Sequence, residues 1–277
     1  MKFDLFGVNS GLCTVQWANE ETERIRVFCK LAFCFVLVFS LCSLSQAQDN
    51  GKVQLADDVF IEKIADNVWR HVSSKNVPNF GFVPSNGVIA QFGTDILLID
   101  SAWNDAQTKL ILDWTEKELK AKPSVAVITH AHDDRIGGIH EIHSRGIRTL
   151  SSALTAELAK QQGIEVPQQT FDEKLTLSLG GREVLVQYPG PGHTRDNIVV
   201  WIPDQKILVG GCLIKSAQAK NIGNTKDADL VQWPKTVEKV QQEFKQAKIV
   251  VPGHDDPSGT EAITRTLELL RNVAQRK

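Results

Sequence analysis

The stretch THAHDDRIGG, residues 129–138, places two histidines and an aspartate at alternate positions and ends in two glycines. A half-buried strand alternates apolar with polar side chains, because successive residues face opposite sides of a sheet. Here the alternating residues are His130, His132 and Asp134, and each of them is a good metal ligand. The pattern therefore indicates a metal site rather than sheet packing.

A metal-ligating side chain follows each of four predicted buried strands. VAVIT leads into His130 and His132, VLVQY into His193, KILV into Cys212, and KIVV into His254. Strands that deliver polar groups to one edge are a common way in which folds build sites. Each histidine taken alone could be an ordinary turn or core residue, but together the residues predict one metal centre.

The donor types favour zinc. Three imidazoles suit a zinc site that leaves a fourth position open, while a carboxylate, a thiolate and an imidazole suit a second zinc. The remaining histidines, His71, His140 and His143, are expected to be surface or helix residues. The alternative for Cys212 is a buried, inert core cysteine.

The N-terminal 47 residues are typical of an extension followed by a secretory signal peptide. Basic residues precede the apolar run LAFCFVLVFSLCSL, residues 31–44, and SQA then supplies small residues for cleavage after Ala47. The run is shorter than the roughly 18 residues that a membrane span needs. The expected product is a periplasmic protein that begins near Gln48, with no stable membrane association; an uncleaved anchor and a later translation start are the alternatives.

Cysteine usage agrees with export. Four of the five cysteines lie in the segment expected to be removed: Cys13, Cys29, Cys34 and Cys42. The exported chain would keep Cys212 alone, and a lone thiol in an oxidising compartment needs a reason. Binding to a metal would supply that reason.

Composition and periodicity indicate one globular domain over residues 48–277. The 277 residues are 42% hydrophobic, and 31 basic residues balance 33 acidic ones, which gives no electrostatic footprint for nucleic acid. Two strand-rich halves, each closed by helices, suggest two sheets packed face to face with helices outside. Ser258 and Glu261 predict a capping box for the last helix.

From about residue 51 to its end, the chain resembles the metallo-β-lactamase superfamily. HAHDDRIGG, GPGHTRDN, GGCLIKS, NIGN and VPGH occur in the family's order and are similar to the class B β-lactamases of the B1 type. The resemblance implies an αββα sandwich of α+β class, with two Zn²⁺ per chain. It implies that His130, His132 and His193 hold the first zinc, and Asp134, Cys212 and His254 the second.

The resemblance also implies roles for residues around the metals. Lys215 matches the lysine that binds the substrate's carboxylate, and Asn224 the asparagine near the β-lactam carbonyl. Asp100 and Arg135 match positions whose hydrogen bonds orient the ligands. Residues 73–87 match a mobile hairpin over the site, with Val77, Phe80 and Phe82 as its apolar tip and without the tryptophan that some members carry there.

The function implied is hydrolysis of penicillins, cephalosporins and carbapenems by zinc-activated water, oriented by Asp134, with a small β-lactam as the partner and a monomeric enzyme. Two alternatives stay open. A glyoxalase-II-like thioester hydrolase usually has a histidine ligand after the aspartate, where this chain has Arg135. An exported zinc-binding protein without activity would need the ligands but neither Lys215 nor Asn224.

Overall fold

The computed structural model describes residues 51–275. The predicted signal peptide and its cleavage site lie outside these residues, so both stay predictions, as does the single domain over residues 48–277. Within residues 51–275, none of the helices combines the length and the apolar character needed to cross a bilayer.

The first sheet has eight strands that follow one another in chain order. They are β1 (Lys52–Ala56), β2 (Val59–Ala65), β3 (Val68–Val77), β4 (Gly81–Phe92), β5 (Asp95–Ile99), β6 (Val125–Val127), β7 (Arg148–Ser152) and β8 (Gln169–Phe171). Strands β1 to β5 pair antiparallel, and β5 to β8 pair parallel through helical crossovers. The sheet is therefore mixed.

The second sheet has five strands in the order β13-β12-β11-β10-β9. They are β9 (Lys174–Leu179), β10 (Arg182–Gln187), β11 (Val199–Ile202), β12 (Ile207–Gly211) and β13 (Ile249–Pro252). The hairpin predicted around Gly180 and Gly181 is confirmed between β9 and β10. Both glycines have positive φ, a conformation that side chains with a Cβ rarely adopt.

Helices cover the outer faces of the two sheets. They are α1 (Asp105–Leu119), α2 (Asp133–Ile136), α3 (Ile139–Ser144), α4 (Ala153–Gln161), α5 (Trp233–Glu243) and α6 (Glu261–Ala274). One apolar cluster fills the space between the sheets. A second cluster lies between the five-stranded sheet and its helices, and a third lies between the eight-stranded sheet and its helices. The predicted αββα sandwich is confirmed.

The predicted capping box at the last helix is wrong. Helix α6 begins at Glu261, because the backbone of Ser258 pairs with Val250 of β13 through two hydrogen bonds of 2.7 and 3.1 Å. Glu261 instead accepts a hydrogen bond from the Gly259 amide at 2.8 Å. Pairing with the sheet thus holds Ser258 outside the helix that its sequence pattern predicts it to cap.

Candidate metal centre

Two buried carboxylates fix the turn that carries His130 and His132 after strand β6. Asp100 accepts hydrogen bonds from the Thr129 amide at 2.7 Å and from its hydroxyl at 2.9 Å. Asp196 accepts a hydrogen bond from the Ala131 amide at 2.9 Å. The loop of THAHDDRIGG is therefore held from both sides, and its side chains have a defined direction.

The two glycines that end this stretch are required by close packing. A Cβ on Gly137 would overlap the carbonyl oxygen of Trp103, and a Cβ on Gly138 would overlap the Thr108 hydroxyl. Neither glycine has a positive φ. The short helix α2 thus packs against the start of α1, which holds Asp134 in position beside the histidines.

The six predicted ligands come together at one edge of the two sheets. Their donor atoms form three overlapping groups, each with all atoms within 4.8 Å of one another: His130, His132 and Asp134; His130, His193 and Cys212; and Asp134, Cys212 and His254. The imidazole rings of His130, His132 and His193 have centroids 4.8 to 5.3 Å apart. The segments that follow the C-terminal ends of β6, β10, β12 and β13 therefore bring the six side chains together.

A hydrogen bond selects which imidazole nitrogen of His254 is free. His254 Nδ1 lies 2.6 Å from the Pro84 carbonyl oxygen, and since that oxygen accepts only, Nδ1 carries the proton. His254 Nε2 then lies 3.3 Å from Cys212 Sγ and 3.5 Å from Asp134 Oδ2. The unprotonated nitrogen therefore faces the other donors, as a metal ligand requires.

Buried donors without partners show that the site fits a metal. Both ring nitrogens of His130 and Nδ1 of His193 are buried and have no hydrogen-bond partner among residues 51–275. A buried polar atom without a partner costs free energy, so such atoms call for a ligand. Imidazole, carboxylate and thiol donors at these distances are the set that zinc prefers.

Burial keeps His130, His193, His254 and the Cys212 thiol neutral in the absence of a metal. It lowers the pKa of His130 and of His193 well below the ordinary value, and it lowers the pKa of His254 to about 4. Neutral imidazole is the form that binds metals. Burial also raises the pKa of the Cys212 thiol to about 12, against the opposing effect of Arg135, so thiolate formation requires a further cation.

Arg135 is a fully buried cation beside the donor group of Asp134, Cys212 and His254. It donates to Cys212 Sγ at 3.1 Å and to the Gly253 carbonyl oxygen at 2.5 Å, and it bonds the Asn86 carbonyl oxygen. Its guanidinium lies 3.0 Å from Asp134 Oδ2. The guanidinium thereby holds Asp134 and Cys212 in one geometry.

The two carboxylates beside Arg135 differ in how readily they lose their proton. Burial raises the pKa of Asp134, but the adjacent Arg135 outweighs burial and holds the pKa of that carboxyl well below its usual range. Burial raises the pKa of Asp100 to about 6, although Arg135 at 3.4 Å and the Thr129 hydrogen bonds oppose this. Asp134 is therefore the more firmly ionised of the two.

A cavity of about 520 Å³ opens above these donors. Its lining includes Lys215 and Asn224, as well as Val77 and Phe80 from the β3–β4 hairpin. Its size falls in the range of sites that enclose a small molecule. The structure thus brings the predicted substrate-binding residues to the same cavity as the metal ligands, with one exception.

That exception is Phe82, which does not line the cavity. Phe82 pairs with Asn76 across the hairpin, whereas the next residue, Val83, pairs with Lys75 and lines the cavity with Val77. Successive residues of a strand face opposite sides, so Phe82 lies on the other face and is 60% exposed. Val83 is one of the lining residues that sequence reasoning missed.

The prediction for His71 is wrong. This histidine lies on the central strand β3, is fully buried, and faces Gly87, where a Cβ would overlap its imidazole ring. Burial lowers its pKa to about 4. His140 and His143 do lie on helix α3, where both contact Glu165, at 2.5 and 2.7 Å.

Comparison with known proteins agrees with the fold. The sequence profile of the metallo-beta-lactamase superfamily matches residues 80–254. A metallo-beta-lactamase type 2 from Bacteroides fragilis is 41% identical over 241 residues, which are 87% of this chain and 96% of the relative. One from Bacillus cereus is 41% identical over 77% of this chain and 83% of its own. The chain therefore belongs to the metallo-beta-lactamase superfamily.

Solved structures show the same relationship. A metallo-beta-lactamase from Pontibacter korlensis has a TM-score of 0.75 and 42% identity, over 77% of this chain and 99% of its own. FIM-1 from Pseudomonas aeruginosa, solved in a mono-zinc form, has a TM-score of 0.73 and 39% identity, over 80% and 99% of the two chains. The likeness covers nearly the full length of both solved chains.

Proposed function

We propose that this protein is a zinc-dependent class B β-lactamase that hydrolyses penicillins, cephalosporins and carbapenems and so protects its host from these antibiotics. The observation that carries the proposal is the convergence of six metal-binding side chains beneath a cavity that also presents Lys215 and Asn224. The relatives named metallo-beta-lactamase type 2 support it. The chain's own residues supply the chemistry as follows.

Two zinc ions per chain would be held by residues on different strand ends. His130, His132 and His193 would hold the first ion, and Asp134, Cys212 and His254 the second. The buried, neutral imidazoles of His130 and His193 suit the first site, and the Arg135 contact with Cys212 stabilises the thiolate that the second site requires. Zinc bound there supplies Lewis acidity, which acidifies water and polarises a carbonyl oxygen.

Lys215 would bind the carboxylate that penicillins, cephalosporins and carbapenems share. It is 8% exposed and lines the cavity, and its Nζ lies 5.3 Å from the centroid of the Trp233 ring. Burial lowers its pKa from the ordinary value, while the acidic Asp134 opposes this shift. An anionic substrate group would restore a charge partner, and Trp233 would limit the motion of the lysine.

Asn224 and Asp134 would act at the reacting amide. The Asn224 side-chain oxygen accepts a hydrogen bond from the Lys226 amide at 3.0 Å, which leaves its NH₂ group as the donor to a developing oxyanion. Asp134 stays ionised and would orient the attacking water by accepting its hydrogen bond. Water adds to the carbonyl carbon and the ring C–N bond breaks. The nitrogen takes one of the two protons of the water and the other is released to solvent, which gives an amine and a carboxylate.

Export from the cytoplasm belongs to the same proposal, because a periplasmic enzyme meets the antibiotic before it reaches its target. Its support is the sequence pattern of residues 31–47. Mass spectrometry of the periplasmic protein is expected to show a chain that begins near Gln48. A soluble cytoplasmic product that retains residues 31–44 would contradict export.

The direct test is hydrolysis by the purified, zinc-loaded protein. It is expected to open a chromogenic cephalosporin, to lose this activity to a chelator, and to regain it with zinc. It should resist inhibitors that acylate serine, since no covalent serine is used. Cleavage of a glutathione thioester with every β-lactam left intact would favour a thioester hydrolase, and inactivity on both would favour a zinc-binding protein.

Matched variants test whether the cavity acts as proposed. Lys215→Ala should mainly raise KM, because its carboxylate contact is present in the ground state and the transition state alike. Asn224→Ala should have a smaller or more substrate-dependent effect, since bound zinc would itself supply charge stabilisation to the carbonyl group. Phe82→Ala is the control, because Phe82 does not line the cavity. A lowered kcat with unchanged KM in Lys215→Ala would contradict the assigned role.

A further inference from the structure

Asp227, in the loop between β12 and α5, contacts one of the predicted ligands of the metal centre. Asp227 Oδ2 lies 3.0 Å from His132 Nε2, although the two residues are 95 positions apart. A carboxylate only accepts hydrogen bonds, so His132 Nε2 carries the proton and donates it. The nitrogen of His132 that is left to bind a metal is therefore Nδ1.

The loop that carries Asp227 also carries Asn224, and local hydrogen bonds brace the turn between them. The Asn224 side chain caps the Lys226 amide at 3.0 Å, and the Ala228 amide donates to the Thr225 carbonyl oxygen at 3.2 Å. A displacement of Asp227 would therefore be passed to Asn224. His132 is in turn the most exposed of the three first-site histidines, with a quarter of its side chain accessible.

Asp227 does not belong to the ligand set itself. It is absent from the three groups of converging donors within residues 51–275, and about half of its side chain is exposed. Its partner is the nitrogen of His132 that cannot bind the metal while it holds this proton. Its place is that of a carboxylate that fixes the tautomer and direction of a histidine ligand.

We propose that Asp227 is a positioning residue that couples zinc at the first site to the position of the loop between β12 and α5, which carries Asn224. This inference rests on the proposed zinc site at His130, His132 and His193. A histidine that binds zinc through Nδ1 is fixed in orientation, and its Nε2–H then holds Asp227 and the loop with Asn224. Because coupling between two sites is reciprocal, the loop contact also strengthens zinc binding.

Zinc affinity tests the coupling without any measurement of activity. In the full mature protein, Asp227→Ala is expected to weaken the first zinc by about 10- to 100-fold in competition with a chromogenic chelator, the typical cost of losing such a partner. Asp227→Asn should lose less, because its side-chain oxygen still accepts the hydrogen bond. Asp172→Ala, which removes an exposed acid elsewhere, is the matched control.

Trypsin gives a second measurement, because Lys220 and Lys226 place cleavage sites in the loop. Zinc is expected to slow cleavage after Lys226 by at least about fivefold in the wild type and in Asp172→Ala, but not in Asp227→Ala. Equal zinc protection in Asp227→Ala, or an unchanged first zinc affinity, would overturn the proposal. If the wild type binds zinc with this coupling but opens no β-lactam, the proposed function fails and the coupling stands.

Discussion

Replacement of Arg135 by methionine is expected to destabilise the zinc-free protein by about 3–5 kcal/mol, the cost of breaking a buried ion pair by removing one partner. The guanidinium is fully buried between Asp100 and Asp134, so its loss leaves two buried carboxylates without a cation. It also leaves the Gly253 and Asn86 carbonyl oxygens without their donor. Urea unfolding in the presence of a chelator measures the free energy of unfolding directly.

Arg182→Met is the matched control for this prediction. Arg182 pairs with Asp204 at 3.2 Å, but about half of each side chain is exposed, so its removal should change the free energy of unfolding by less than about 1 kcal/mol. Arg135→Lys keeps the charge and loses the forked contacts, and should fall between the two. Equal stability losses for Arg135→Met and Arg182→Met would refute the role given to the buried cation.

Replacement of Cys212 by serine is expected to weaken the second zinc by more than the roughly 10- to 100-fold that loss of an outer partner costs, and to leave the first zinc in place. A neutral hydroxyl is a poor zinc ligand compared with a thiolate, while the three histidines are unchanged. Metal analysis after dialysis and chelator competition would resolve the two affinities. The expected result is one tightly held zinc per chain.

His193→Ala is the reciprocal variant. It removes a ligand of the first site and should weaken the first zinc more than the second, so the pair of variants separates the two sites. Sulfur-to-metal charge-transfer absorption with cobalt in place of zinc should be lost in Cys212→Ser and kept in His193→Ala. Two zincs held with unchanged affinity in Cys212→Ser would show that the ligand assignment is wrong.

Much of the candidate site could be predicted because its ligands follow directly on recognisable strands. His130, His193, Cys212 and His254 each stand a few residues beyond an apolar run, so hydrophobic pattern and residue type, taken for all four together, identify them as candidate ligands. The prediction of a capping box at Ser258 failed because a contact distant in sequence decided the outcome. Its local pattern was right for a helix start, but pairing with Val250 outweighed it.

Sequence alone determined the layered fold and the six candidate ligands, because binary patterning and strand-end motifs are local in the chain. Tertiary structure alone decided which face Phe82 takes, that His71 is buried, and that Asp227 meets His132. Strand register sets the first, since one residue of offset exchanges the two faces of a hairpin. The contact between His132 and Asp227 joins parts of the chain that are far apart in sequence. Only the packing of the two sheets and their loops brings these groups within hydrogen-bond distance.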